Sequence, residues 1–249
     1  MIQIIREKRI VSGKILEVEF FPVCSDGRKK PAGSLSREAQ KNLNDKNSKK
    51  ELDRILNTNF GGGDLAVHLT YRDDEMPSTR EEVVNDVKNY VSRIRRHRKR
   101  SNLPELKYVY VIEAKVSKRT GVFRWHIHMV MSGMDRDTAE QKWGHGDWTN
   151  ARRLQPNENG LQALARYMTK DPEGKRRWSG SKNLKQPTVK KPRDGKITKR
   201  GLARIAEKKL YDREYWEKRH KGYSYIGAEA SFNNYNGHWY VYVRMRKRD

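Results

Sequence analysis

Apolar and polar residues alternate strictly through Phe123–Met131, FRWHIHMVM. Trp125, Ile127, Met129 and Met131 fall on one side, His126, His128 and Val130 on the other. A period of two places these sets on opposite faces of a β-strand. Alternation with β-branched and aromatic residues predicts further strands over Lys107–Lys115 and Asp64–Tyr71. Ile2–Val23 alternates more loosely and reads as two strands joined at Ser12–Gly13, while the C-terminal tyrosine-rich runs form a hairpin turning at Asn234–Gly237. Helical spacing takes over elsewhere. Val83, Val84, Val87, Tyr90, Val91 and Ile94 make one stripe of a helix that Ser78 or Thr79 can cap. Leu35–Leu56 predicts a polar helix whose anchors, Ala39, Leu43, Leu52, Ile55 and Leu56, leave a gap at Asn44–Lys50 where it breaks or lies on the surface. Leu161, Leu164, Ala165 and Met168 give a buried stripe to a helix over Glu158–Asp171, stopped by Pro172. Thr198–His220 is helical and charged, interrupted near Asp212. The glycines at 61–63 lack phosphate-loop spacing and read as a turn.

These elements fit a single α+β domain over residues 1–249 built on an antiparallel sheet. Its core runs over about 60–190, with an N-terminal extension at 1–59 and C-terminal helices and a hairpin at 191–249. Charge narrows the function classes. Lys and Arg number 55 against 31 Asp and Glu, a net +24, which suits a polyanionic partner, nucleic acid before an anionic membrane. No run is long enough to span a bilayer and no charged-then-apolar leader is seen, so no membrane partner is expected. Cys24 is the only cysteine, which excludes an intramolecular disulfide and a cysteine-based zinc site and makes a cytoplasmic location the default.

Candidate chemistry gathers on the histidine strand. His126 and His128 project together, as a metal-binding pair requires. The preceding strand is linked to it by a short segment containing Gly121, so the two make a hairpin. A two- or four-residue loop over Lys118–Gly121 puts Glu113 opposite His126 and on its face; a three-residue loop turns Glu113 away. Tyr167 and Lys170, three apart on the later helix, sit side by side. Cations follow at Arg152 and Arg153, and again at Lys175, Arg176, Arg177, Lys182 and Lys185, the last set interleaved with Trp178. Such a mixture suits a groove that tracks single-stranded backbone and stacks a base, or else a mobile basic loop. His68, on the Asp64–Tyr71 strand, could approach the site, but an ordinary strand histidine is the favoured reading.

The ordered set of His-hydrophobe-His followed by a helix bearing Tyr-x-x-Lys resembles the HUH endonucleases. It is most similar to single-tyrosine replication-associated proteins of plasmids, phages and integrated elements. REKRIVSGK, LQPNENGLQALARYMTKDP and RRWSGSKNLKQPTVK carry the likeness, which runs from about Ile2 to Arg246. The resemblance implies a central five-stranded antiparallel sheet of the palm or RRM-like kind with helices packed behind it. It implies magnesium or manganese, a 5′-phosphotyrosine link to origin DNA, single-stranded or hairpin, and a free 3′-OH that primes rolling-circle synthesis. Host helicase and polymerase are the further partners expected.

The residues support that chemistry on their own terms. Covalent phosphodiester cleavage needs a nucleophile, which Tyr167 supplies, although a free tyrosine titrates near pH ~10 and needs activation. A divalent cation on Glu113, His126 and His128 would act as a Lewis acid, and Lys170 would favour the phenolate or stabilise the phosphorane-like transition state. By ligand type alone, manganese, zinc or nickel is favoured. A relaxase or transposase of the same superfamily would use the same site. A basic DNA-binding protein without catalysis is the alternative from another class.

Overall fold

The computed structural model describes residues 3–24, 37–116, 121–146, 149–170 and 177–248. In chain order the elements are β1 (Gln3–Ser12), β2 (Ile15–Cys24), α1 (Arg37–Asn59), β3 (Leu65–Leu69), α2 (Arg80–Arg100), β4 (Tyr108–Val116), β5 (Phe123–Met131) and α3 (Arg136–Gln141). They continue with β6 (Asn150–Arg153), α4 (Gln162–Met168), β7 (Ser179–Gly180), β8 (Thr188–Val189), β9 (Arg193–Asp194), α5 (Lys199–Arg204), α6 (Arg213–Arg219), β10 (Tyr223–Asn233) and β11 (His238–Lys247). The fold is α+β with antiparallel sheets. No helix among the described residues is long and apolar enough to cross a membrane.

The described residues divide into two compact units. The first comprises 1–47, 157–160 and 186–249, the second 48–156 and 161–185. The second unit is organised around a five-stranded sheet in the order β6-β3-β5-β4-β7. Its three inner strands, β3, β5 and β4, are apolar along the face that meets α2. There Leu65, Val67 and Leu69 of β3 and Ile127, Met129 and Met131 of β5 meet Val83, Val87, Tyr90, Val91 and Ile94 of α2. That helix starts at a capping box, in which Thr79 and Glu82 each satisfy the other's backbone N–H. Tyr90 is fully buried and donates its hydroxyl to the Ala139 carbonyl at 2.9 Å, so its polar atom is satisfied.

The opposite face is split between two chemistries. At one end Val109, Val111 and Val130 pack under Leu52, Ile55 and Leu56 of α1 and Ala165 and Met168 of α4. At the other end the same strands carry polar side chains. The helices therefore cover half of this face.

Of two local expectations, the first is met by its surface alternative and the second changes. α1 runs unbroken from Arg37 to Asn59, and its apolar-free stretch lies on the solvated side. α4 is seven residues long rather than spanning Glu158–Asp171. Asn157 and Gly160 close a turn ahead of it, with Gly160 at φ 68°, where a side chain is strained. Thr169 ends the helix by returning its hydroxyl to the Ala165 carbonyl at 2.7 Å.

In the first unit the terminal hairpins expected at each end of the chain are present. They are joined to each other. β2 pairs antiparallel with β11, giving the order β10-β11-β2-β1-β8, with β9 also on β1. Val18, Phe20, Val241, Val243 and Met245 from this sheet bury Leu202, Ile205, Leu210 and Trp216. The expected interruption near Asp212 is the N-cap of α6, whose carboxylate accepts the Tyr215 N–H at 2.9 Å.

Candidate active site

The polar half of the second unit's sheet is assembled by register. β4 and β5 pair with Glu113 directly opposite His126, and β3 and β5 pair with His68 directly opposite His128. Opposed residues share a face, so four side chains from three neighbouring strands converge there. Glu113 is 5% exposed. Its Oε2 accepts from Lys115 Nζ at 2.9 Å and from His128 Nε2 at 3.1 Å. His68 Nε2 lies 3.2 Å from His126 Nδ1. The His68 ring is parallel to that of His128, at 4.7 Å and 1°, and nearly so to that of His126, at 5.3 Å and 11°.

Burial holds the protonation states in place. The His68 ring is pushed down to about 4 by burial and then by its two histidine neighbours. Burial lowers His126, with Lys115 adding to it, and lowers His128 against the attraction of Glu113. For Glu113 burial acts upward, but the hydrogen bonds from Lys115 and His128 prevail and hold it below the usual carboxylate range. The face thus presents neutral imidazoles beside a carboxylate at neutral pH.

α4 brings the tyrosine to this cluster. The Tyr167 ring meets His128 edge-on at 5.1 Å while remaining 58% exposed. Lys170 is exposed just past the helix end, and its backbone N–H donates to the Tyr167 carbonyl at 3.2 Å, which keeps the two residues one turn apart. Tyr167, His126, His128 and Glu113 are therefore brought to one place.

The cations are distributed less evenly. Arg152 opposes Ala66 and shares the face of the histidines, where its Nε donates to Asn150 Oδ1 at 2.9 Å. Arg153 opposes Leu65 on the other face, and donates to the Gly63 carbonyl at 2.7 Å. Trp178 packs at the edge of the α1–α4 cluster, so part of its ring is already used. The segment around it is laid onto the sheet. β7 pairs with β4, Ser181 N–H donates to the Tyr108 carbonyl at 2.9 Å, and Lys185 N–H donates to Asn59 Oδ1 at 2.8 Å. Lys182 and Lys185 are exposed, and Arg177 is half-buried. Lys175 and Arg176 lie outside the described residues.

Among the described residues no three His, Cys, Asp or Glu side chains are grouped as a metal centre needs. The donors of the cluster are engaged with one another instead. Their chemistry nevertheless suits a divalent cation. Two neutral imidazoles and a carboxylate are borderline donors on one face, and the carboxylate already draws the positive charge of Lys115.

Sequence reasoning set His68 aside as an ordinary strand histidine and passed over Lys115. His68 alternates correctly for the site face, but only the resemblance, and not the strand pattern, placed its strand beside the histidine strand. Lys115 lies two residues from Glu113 on the same face, a spacing that was visible.

Residues 64–172, less than half of the chain, match the family model described as Replication-associated protein ORF2. The match contains every candidate metal-site and nucleophile residue. No curated protein and no solved structure matches the chain.

Proposed function

We propose that this chain, whose residues 64–172 match the replication-associated protein ORF2 family, is a DNA-nicking and strand-transfer enzyme of the HUH kind. It would act on single-stranded or hairpin DNA at a replication origin, with host helicase and polymerase following, and so initiate rolling-circle replication. The observation that carries this reading is the meeting of Tyr167 with His128, beside Glu113 and His126.

Tyr167 attacks the scissile phosphorus through its phenolic oxygen. A P–O bond to Tyr167 forms as the bond to the 3′-oxygen breaks, leaving a 5′-phosphotyrosine and a 3′-OH. The exposed phenol releases its proton to solvent, and the leaving oxygen takes one up. Lys170, one turn along, offsets charge that develops on the phosphoryl oxygens. Attack by a 3′-OH on the phosphotyrosine reverses the step and joins strands. Glu113, His126 and His128 would hold manganese or magnesium, which when bound polarises a non-bridging phosphate oxygen. For that, His128 would carry its one proton on Nδ1, so that Nε2, now turned to Glu113, offers its lone pair to the cation. Arg152, Lys182, Lys185 and Trp178 would line the strand's path, with Arg177, Lys175 and Arg176 as further candidates. Arg153 would contribute charge from the other face.

Oligonucleotides tiling the DNA around the gene, incubated with manganese, test the proposal. A covalent protein–DNA band that disappears in Tyr167→Phe is expected. A band of equal intensity in that variant, or strand cleavage without any adduct, would sink it.

A further inference from the structure

His68 is held more tightly than a strand histidine requires. It sits on the central strand of three, opposed by His128 of β5 on one side and by Asn150 of β6 on the other. Its ring lies parallel to both site histidines, within 4.7 Å and 5.3 Å, and its Nε2 is 3.2 Å from His126 Nδ1. An apolar ring would fill the same space. Only a side chain with a hydrogen-bonding atom there can choose which nitrogen of His126 carries the proton.

That choice decides whether His126 can bind a metal through its outer nitrogen. In a neutral imidazole one nitrogen is a donor and the other an acceptor. If His126 Nδ1–H donates to His68 Nε2, the His126 Nε2 lone pair is free for a cation. If His68 Nε2–H donates instead, His126 Nε2 carries a proton and is closed to metal. We infer that His68 is a positioning residue, which accepts from His126 Nδ1–H and thereby fixes His126 in the metal-competent tautomer, with its ring clamped by stacking. Partners of this kind orient metal-binding histidines generally, and losing one typically costs 10–100-fold in metal affinity.

The inference rests on the proposed metal site, so the experiment reads the two separately and needs no DNA. Nitrogen-15 histidine spectra of the full chain without metal report the His126 tautomer. Titration with manganese alone, followed by the loss of the free-ion paramagnetic signal, reports affinity. Protonated His126 Nδ1 is expected in the wild type. His68→Phe, which keeps a stacked ring, should mix the two tautomers and weaken manganese binding about 10–100-fold. His68→Gln, whose amide oxygen can accept, should recover most of the affinity.

Protonated His126 Nε2 in the wild type overturns the inference even where His68→Phe fails to fold. So does a folded His68→Phe with unchanged tautomer and unchanged manganese affinity. Manganese binding that is absent from the wild type, or that survives His126→Ala, counts against the metal site itself, and the tautomer spectrum still decides the role of His68.

Discussion

Acidification should destabilise the protein through a histidine of the first compact unit, which does not carry the candidate chemistry. His220 is 7% exposed, its ring lies 6.4 Å from Trp216, and its Nε2 is buried without a hydrogen-bond partner among the described residues. Burial pushes its pKa from 6.5 down to about 4, against the pull of Glu7 and with help from Arg219, Arg9 and Arg193. The unfolded chain takes up this proton near 6.5 and the folded chain only near 4, so between those values the unfolded state binds more protons. Stability is therefore complete above the upper value and falls as pH drops through the window. One pH unit across it is worth about 1.4 kcal/mol, so lowering the pH from 7.5 to 4.5 should cost roughly 2–3 kcal/mol through His220 alone.

Urea unfolding followed by tryptophan fluorescence at the two pH values measures this loss. His68, His126 and His128 are shifted in the same direction, so the quantity to compare is wild type minus His220→Gln, which removes one of these four groups. At an m-value of about 2–3 kcal/mol/M, the His220 share moves the midpoint by on the order of 1 M. A variant that loses as much stability on acidification as the wild type would refute the reasoning.

Three further outcomes are expected. Gly133→Ala should destabilise by more than about 2 kcal/mol, read as a lower melting temperature. A Cβ there would stand 2.2 Å from the Gly63 carbonyl oxygen, and Gly133 is pinned by Asp64 at 2.8 Å and Arg98 at 2.9 Å. Affinity for single-stranded DNA should fall with salt at about −0.7 per phosphate neutralised in log–log terms, and a flat response would mean that the +24 charge is not a DNA surface. Arg152→Ala should lower that affinity more than Arg153→Ala, because Arg152 lies on the Tyr167 side of the sheet; equal losses in a filter-binding assay would place the DNA elsewhere.

What could be read in advance divides by the range of the interaction. His126 and His128 share a face by local alternation, and Thr79 caps α2 by a four-residue signature, so both were legible. The pairing of Glu113 with His126 was legible only as a condition on the connecting loop. Its register is now visible, although residues 117–120 of that loop lie outside the described residues. Non-local partners left less trace. β7 is two residues long and carries no period, so only the resemblance pointed to a fifth strand. The junction of β2 with β11 pairs residues more than two hundred positions apart, and each hairpin alone reads the same whichever edge it joins. His68 shows why a site can be under-read: its role depends on which strand lies beside it, and strand order is not written in strand pattern.

The central claim is that Tyr167 becomes joined to DNA, and peptide mapping of the covalent adduct tests it most directly. Tyr167 is exposed and in edge contact with His128, whereas Tyr90 is buried with its hydroxyl committed to Ala139. Tyr211 is 76% exposed but lies in the other compact unit. Digestion of the manganese-dependent adduct and mass spectrometry should place the nucleotide on the peptide containing Tyr167, with no adduct from Tyr167→Phe and a reduced yield from Lys170→Ala. A nucleotide found on Tyr211, or on any tyrosine other than Tyr167, would contradict the account.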